Sequence, residues 1–299
     1  FWIRVHVANP TAFLDSEGKV MQYAASRLQT MYAPERTYPM IPSSLTQKHF
    51  SLAPGRPTLT FSAKMNLQGE VLDTNITNGV VRNVIYITHG KLRSLFEPSP
   101  EKELEPLRVG GELPKRNLRE ELQEEVDEKD ESNFRTLRQL MLAFREHRRK
   151  NGAMEWPSSP DISLSMAAGT EPLAPSNMKV TEGRYVLGDP VIELAQQQVD
   201  PHEVPDMTKR NLISTLMNLA CWVSGKWLAE RNIPSIYDGT YYHPEYPKVT
   251  NENLSEYGGQ AWLQLAAPKG VSSSSPLHHT PLGLDAYVKA TSPLRRYTD

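Results

Sequence analysis

Leu282-Gly283-Leu284-Asp285-Ala286-Tyr287, followed after a short spacer by Thr291-Ser292-Pro293-Leu294-Arg295-Arg296-Tyr297, is the stretch on which the reading of this chain turns. Pro293 fixes its own φ and sets a turn, and two adjacent arginines then leave it from a loop or helix start. Guanidinium forks so placed suit phosphate oxygens, because they bind bidentately and keep their charge. The plainer alternative is a surface pair of cations bridging nearby acids.

Working outward, the longest helix is expected from about Thr208 to Asn232, with Leu212, Leu216, Leu219, Val223 and Trp227 at helical spacing and Ile233-Pro234 ending it. A second runs from Ser132 to Lys150, with Phe134, Leu137, Leu140, Met141 and Phe144 on one face and Asn151-Gly152 as the stop. At the start of the chain Phe1, Ile3, Val5 and Val7 alternate with Trp2, Arg4 and His6, the period of a half-buried strand, until Asn9-Pro10 breaks it. Ser16 reads as the N-cap of a helix reaching about Tyr32, on Val20, Ala24, Leu28 and Met31, with Ala33-Pro34 stopping it. The Pro-rich residues 38–45 read as an extended connector. Residues 57–73 read as a hairpin turning at Asn66-Leu67-Gln68-Gly69, and Val80 to Ile87, Ile162 to Leu164 and Tyr185 to Leu187 as further strands. Glu101 to Glu131 is strongly acidic and reads as a solvated helix and loop. Without internal repeats or a regular βαβ alternation, the fold class is α+β.

Composition narrows the classes. A chain of 299 residues, 38% hydrophobic, can bury a substantial core. No stretch is apolar enough for a membrane span. The single cysteine, Cys221, excludes an internal disulfide and a multi-thiolate zinc site. A net charge of −2 is not the footprint of a bulk nucleic-acid binder, so any such binding must rest on local sites. Arg145, Arg148, Arg149 and Lys150 fall at a helix C-terminus, where the macrodipole favours cations; the alternative is that they line a nucleic-acid path. His278-His279 read as loop histidines with ordinary hydrogen bonds. No Gly-rich phosphate loop, Gly-x-Ser-x-Gly elbow or Cys/His nucleophile arrangement occurs. Both ends read as interior to a longer chain, since Phe1 to Val7 is a strand already under way.

Taken together these segments resemble the ribonuclease II (RNB) family of exoribonucleases. The Leu282–Tyr287 and Thr291–Tyr297 stretch looks like the family's late motif. His6-Val7-Ala8-Asn9-Pro10 is similar to its early strand end, usually His-Ile-Ala-Asp and a variable residue. Arg27 through Tyr32 and then Pro34 is similar to its Arg-x-x-(Ser/Thr)-x-Tyr-x-Pro. Pro39-Met40-Ile41-Pro42-Ser43-Ser44-Leu45 and Ser51-Leu52 resemble its Pro-Met-Leu-Pro-x-x-Leu and Ser-Leu elements. The wording from Val7 to Phe13, with the acidic insertion, looks most like the family's fungal mitochondrial members, which partner the helicase of an RNA degradosome.

The resemblance implies an α+β RNB-type catalytic domain with mixed sheets flanked by helices, occupying residues 1–299, incomplete at both ends and carrying an acidic insertion at 101–131. It implies a hydrolytic 3′-to-5′ exoribonuclease that degrades single-stranded RNA to nucleoside 5′-monophosphates in mitochondrial RNA turnover, with OB-fold RNA-binding domains outside this chain. Arg295 would be the catalytic arginine at the scissile region and Arg296 would bind RNA beside it. Tyr32 would clamp the terminal nucleotide, and Trp156 would wedge against the bases. The Mg²⁺ cofactor would be held by aspartates expected before Phe1, so no metal ligand is assigned here and the fragment alone is expected to be inactive. An RNA helicase is an expected partner through residues 101–131. Two departures stand out: Ser214-Thr215 occupy the place of two adjacent family glutamates, and Asn9 that of an aspartate. They motivate the rival expectation, an RNB-fold RNA-binding protein without catalysis.

Overall fold

The computed structural model describes residues 1–33, 37–96, 104–113, 126–154, 162–168, 171–172, 190–196, 209–245, 248–253 and 267–299. Along the chain lie β1 (Trp2–Ala8), α1 (Lys19–Arg27), the two-residue strands β2 (Met31–Tyr32) and β3 (Thr37–Tyr38), and the single turn α2 (Ser43–Leu45), which continues as a wide π turn over Thr46–Phe50. Then come β4 (Pro57–Met65), β5 (Val71–Val80), α3 (His89–Ser94), β6 (Leu107–Val109) and α4 (Glu128–Lys150). The second half holds β7 (Ile162–Ala168), β8 (Glu171–Pro172), β9 (Val191–Gln196), α5 (Lys209–Glu230), β10 (Tyr237–Tyr241) and β11 (Lys269–Ser273).

The sheet that positions the site is β1-β4-β5. Its register sets Ile3 opposite Ala63 and Val5 opposite Phe61, so the alternation in β1 delivers one apolar face. Onto that face pack Leu140, Met141 and Phe144 of α4 with Leu212, Leu219 and Val223 of α5, all buried. Each such side chain contributes roughly 1.5–3 kcal/mol on leaving water. The β4–β5 hairpin turns at Asn66–Gly69, as its sequence dictates, and its tip rests on α4. There Gly69 holds φ +82, and a Cβ would stand 2.2 Å from the Ala143 carbonyl oxygen, so only glycine fits. A smaller core, Ala24, Met40, Ile41 and Phe50, anchors α1 and the Pro-rich segment beside the sheet.

The α+β class holds, with three corrections of detail. Mixed sheets were expected, but every strand pairing among the described residues is antiparallel. Helix α1 starts at Lys19 with Gly18 as N-cap rather than at Ser16, because Asp15 builds an Asx turn through the Glu17 N–H. It also stops at Arg27, where Leu28 takes φ 62 and the chain leaves to pair elsewhere, so Met31-Tyr32 is strand and not helix. Third, β5 ends at Val80, where a further strand was expected to begin; among the described residues no strand pairs with residues 81–87.

In its described parts the acidic stretch 101–131 is largely exposed and carries a short strand and the start of a helix. Leu107–Val109 is the β6 strand, paired with β9. Asp127 caps α4 by accepting the Asp130 N–H at 2.7 Å, and Glu128, Asp130 and Glu131 fill the first turn, where the macrodipole favours acids. The helix therefore begins a turn before Ser132. The expected strand Tyr185 to Leu187 lies outside the described residues. In the four-stranded sheet β6-β9-β7-β8, Leu107, Leu194 and Leu164 align across one face, with Val109, Ile192 and Met166 in the next row. That face stands open to solvent: Leu107 is 63% and Ile162 61% exposed. Among the described residues no helix is long and apolar enough to cross a membrane.

Candidate active site

The chain beyond α1 makes the site. Leu28 to Thr30 runs antiparallel to residues 295–297: the Thr30 N–H donates to the Arg295 carbonyl at 2.9 Å, and the Tyr297 N–H to that of Leu28 at 2.8 Å. An isolated bridge between Gln29 and Arg296 completes the pairing. These main-chain bonds place the two ends of the motif set side by side, Tyr32 from β2 and Arg295 from the turn at Ser292-Pro293. The turn closes as the Arg295 and Arg296 N–H groups both donate to the Ser292 carbonyl at 3.0 Å.

Between them opens a cavity of about 480 Å³. Its walls are His6, Val7 and Ala8 at the end of β1, Thr30 and Tyr32, Pro39 and Ile41, Thr46 of the π turn with Ser51 and Leu52 just after it, and Thr291 to Arg295. The Pro-rich segment is shaped for this: the Thr30 hydroxyl accepts the Met40 N–H at 3.0 Å, and Met40 and Ile41 are buried behind the wall. Arg56 braces the π turn by donating to the Gln47 and Ser51 carbonyls at 2.8 and 3.1 Å.

Tyr32 is 67% exposed, so it is a wall of the cavity and not a core residue. Arg295 is exposed and forms no ion pair among the described residues. Arg296 points away. Its Nη2 atom meets the Asp299 carboxylate, and it lines a neighbouring cleft of about 100 Å³ that Asp299 shares. The two adjacent arginines thus line different cavities. Trp156 lies outside the described residues. Among the expected acidic positions, Ser214 is exposed and donates to its own helix at the Asn211 carbonyl, while Thr215 is buried. Asn9 accepts a hydrogen bond from the Thr11 hydroxyl and donates one to Asn78.

His6 was not singled out for the site. It lies on the polar phase of the β1 alternation, two residues before the end of the strand, and lines the cavity. Its Nδ1 atom lies 2.9 Å from the Thr60 hydroxyl, and burial, aided by the charge of Arg4, holds its imidazole below the ordinary pKa. The cavity therefore offers one permanent cation, one aromatic face and one neutral imidazole. That set can bind a phosphate and stack a base. A metal is another matter: among the described residues no group of three or more His, Cys, Asp or Glu could hold one. The side chains that line the cavity do not fit Mg²⁺.

The RNB domain profile matches residues 1–259. The chain is 27% identical to the mitochondrial protein cyt-4 of Neurospora crassa, over 100% of this chain and 28% of that protein. It is 26% identical to the mitochondrial exoribonuclease II of Schizosaccharomyces pombe, over 100% of this chain and 31% of the relative. It thus spans less than a third of the length of either. Among solved structures it superposes on RNase R of Mycoplasma genitalium in complex with ribose-methylated single-stranded RNA with a TM-score of 0.69 at 16% identity, over 100% of this chain and 44% of that one. On yeast Ssd1, described as a pseudonuclease, it superposes with a TM-score of 0.58 at 13% identity, over 100% of this chain and 34% of that one.

Proposed function

The chain belongs to the RNB domain family, and on that premise we propose that the protein containing it is a hydrolytic exoribonuclease that shortens single-stranded RNA from the 3′ end. Water adds across the terminal phosphodiester, leaving a 3′-hydroxyl on the shortened strand and releasing a nucleoside 5′-monophosphate. The observation that carries this reading is the convergence of Tyr32 and Arg295 on one cavity, from segments that main-chain hydrogen bonds hold together.

In this reading Tyr32 stacks on the terminal base, a contact worth roughly 1–3 kcal/mol that accepts any base. Arg295 braces the phosphate and stabilises charge that grows on it in the transition state. Arg296 supports that arginine from behind through Asp299, and Trp156 is kept as a base contact. Mg²⁺ belongs to the proposal as a cofactor whose ligands fall outside the described residues of this chain. Mitochondrial RNA turnover is proposed from the names of the two fungal relatives. An RNA helicase partner is proposed on the resemblance alone.

A 3′-tailed, end-labelled RNA incubated with Mg²⁺ and the full-length protein tests this. Progressive shortening to mononucleotides is expected, slowed in Arg295→Ala and ending at longer products in Tyr32→Ala. The second reading, an RNB-fold binder without catalysis, is favoured by Ser214 and Thr215 standing where the family carries acids, and by the likeness to a pseudonuclease. Tight RNA binding by the wild type with no shortening would establish it and sink the first.

A further inference from the structure

A second cavity, of about 720 Å³, opens where the C-terminal half of α4 meets the hairpin tip and the loop before Leu284. It shares no lining residue with the Tyr32 cavity. Its volume falls within the roughly 300–1,000 Å³ of small-molecule sites.

Arg148 is the unusual group in its wall. The residue is 8% exposed, yet no carboxylate pairs with it among the described residues. Its Nη1 atom donates to the Leu282 carbonyl at 3.1 Å, its guanidinium lies 5.3 Å from the Phe144 ring centre, and its Nε atom is buried with no hydrogen-bond partner. Burial, reinforced by Arg145, pulls its pKa down to about 10, so it remains a cation at neutral pH. A buried charge without a counter-ion is unfavourable, and an anion entering the cavity would compensate it.

The surroundings are prepared for such an anion. His147 and His278 face the cavity, and the Trp222 indole supplies an aromatic surface. The acids on its rim are already engaged: Asp285 accepts from Trp222 Nε1 at 2.8 Å and Lys226 Nζ at 3.0 Å, and Glu70 from Asn66 Nδ2 at 2.7 Å. The last carbonyls of α4 are also satisfied, since the Asn151 N–H donates to those of His147 and Arg148 and the Ala153 N–H to that of Arg148. The negative end of the helix is therefore capped rather than turned on a ligand. Gly283, at φ +61, closes the loop against Arg148, where a Cβ would stand 2.6 Å from its carbonyl oxygen.

We propose that this cavity is a second phosphate site, in which Arg148 takes the phosphate group of a nucleoside monophosphate or of a strand's backbone and Trp222 flanks the attached nucleoside. It stands apart from the exonuclease reading and does not require it.

The test is calorimetric titration of the full-length protein, in chelator to prevent hydrolysis, with AMP and with inorganic phosphate. The Arg295→Met background removes the first cavity's cation. One AMP per chain is expected to bind there, with affinity falling at least tenfold in Arg148→Met. His147→Glu, at a half-exposed position, places a repelling charge in the same wall and keeps the proposal testable if Arg148→Met does not fold; it should weaken AMP to a similar degree. Displacement of AMP by a ten-nucleotide RNA lacking a terminal phosphate identifies the backbone as the source, and its failure to displace identifies the free nucleotide. No binding of AMP or phosphate to the wild type, or binding unchanged by either cavity variant, overturns the proposal. So does binding that vanishes with Arg295→Met alone.

Discussion

The Nη2 atom of Arg296 sits 2.5 Å from Oδ2 of Asp299, and that same oxygen accepts the backbone N–H groups of Thr291 and Ser292 at 3.1 and 2.9 Å. One carboxylate, its side chain fully shielded, thus ties down the turn from which Arg295 projects. Asp299→Asn should remove the charge that Arg296 faces and weaken both main-chain contacts. Breaking a buried pair costs about 3–5 kcal/mol; with the arginine side chain 29% exposed the lower end, about 3 kcal/mol, is expected. The midpoint of urea unfolding measures it. An unchanged midpoint would show that the turn holds without the brace.

The folded state should tolerate acid poorly. His6 and His279 both titrate below the ordinary histidine value of 6.5, chiefly because burial penalises the charged ring. A histidine whose folded pKa is lowered binds fewer protons folded than unfolded. Stability is then full above the unfolded pKa and drains away as pH falls through 6.5 toward the folded values. Melting followed by circular dichroism should show a falling Tm between about pH 7.5 and 5.5, with a shallower fall in His6→Gln. A Tm that rises over that range would contradict the burial argument.

Such groups show why the sequence was only partly readable. The alternation in β1, the Asn66–Gly69 turn and the apolar faces of α4 and α5 are local patterns, and each appears where its period places it. The end of α1 is not local. Leu28 leaves the helix because residues 28–30 find hydrogen-bond partners at 295–297, far away in sequence. The same contact carries Tyr32 to the cavity wall, whereas helical periodicity had placed it in a helix. Arg295 and Arg296 share one chemistry, and only the turn geometry separates them. Asp299, three residues after Arg296, offered an i,i+3 spacing as its one local clue.

Gly69 should be intolerant of any side chain. Gly69→Ala drives a Cβ into the backbone of α4 at Ala143 and strains a positive φ. A loss of about 2–3 kcal/mol is expected, read from denaturant unfolding. A loss of less than about 1 kcal/mol, the ordinary range for a tolerated turn substitution, would mean that the hairpin tip does not dock on the helix.

Tyr32 should behave in the opposite way. At 67% exposure its removal costs the fold little, whereas Tyr32→Ala should weaken single-stranded RNA by roughly 1–3 kcal/mol, and Tyr32→Phe should retain most of that affinity. Fluorescence anisotropy in chelator, paired with a thermal melt, separates the two effects. A destabilised Tyr32→Ala with unchanged affinity would assign the ring to packing.

The open rows of Leu107, Leu194 and Leu164 on the β6-β9-β7-β8 sheet carry a practical corollary. Dyes that brighten against greasy surfaces will find this one on the intact, native protein wherever nothing covers it. A dye-based melt would start from a bright baseline and report loosening before any had occurred.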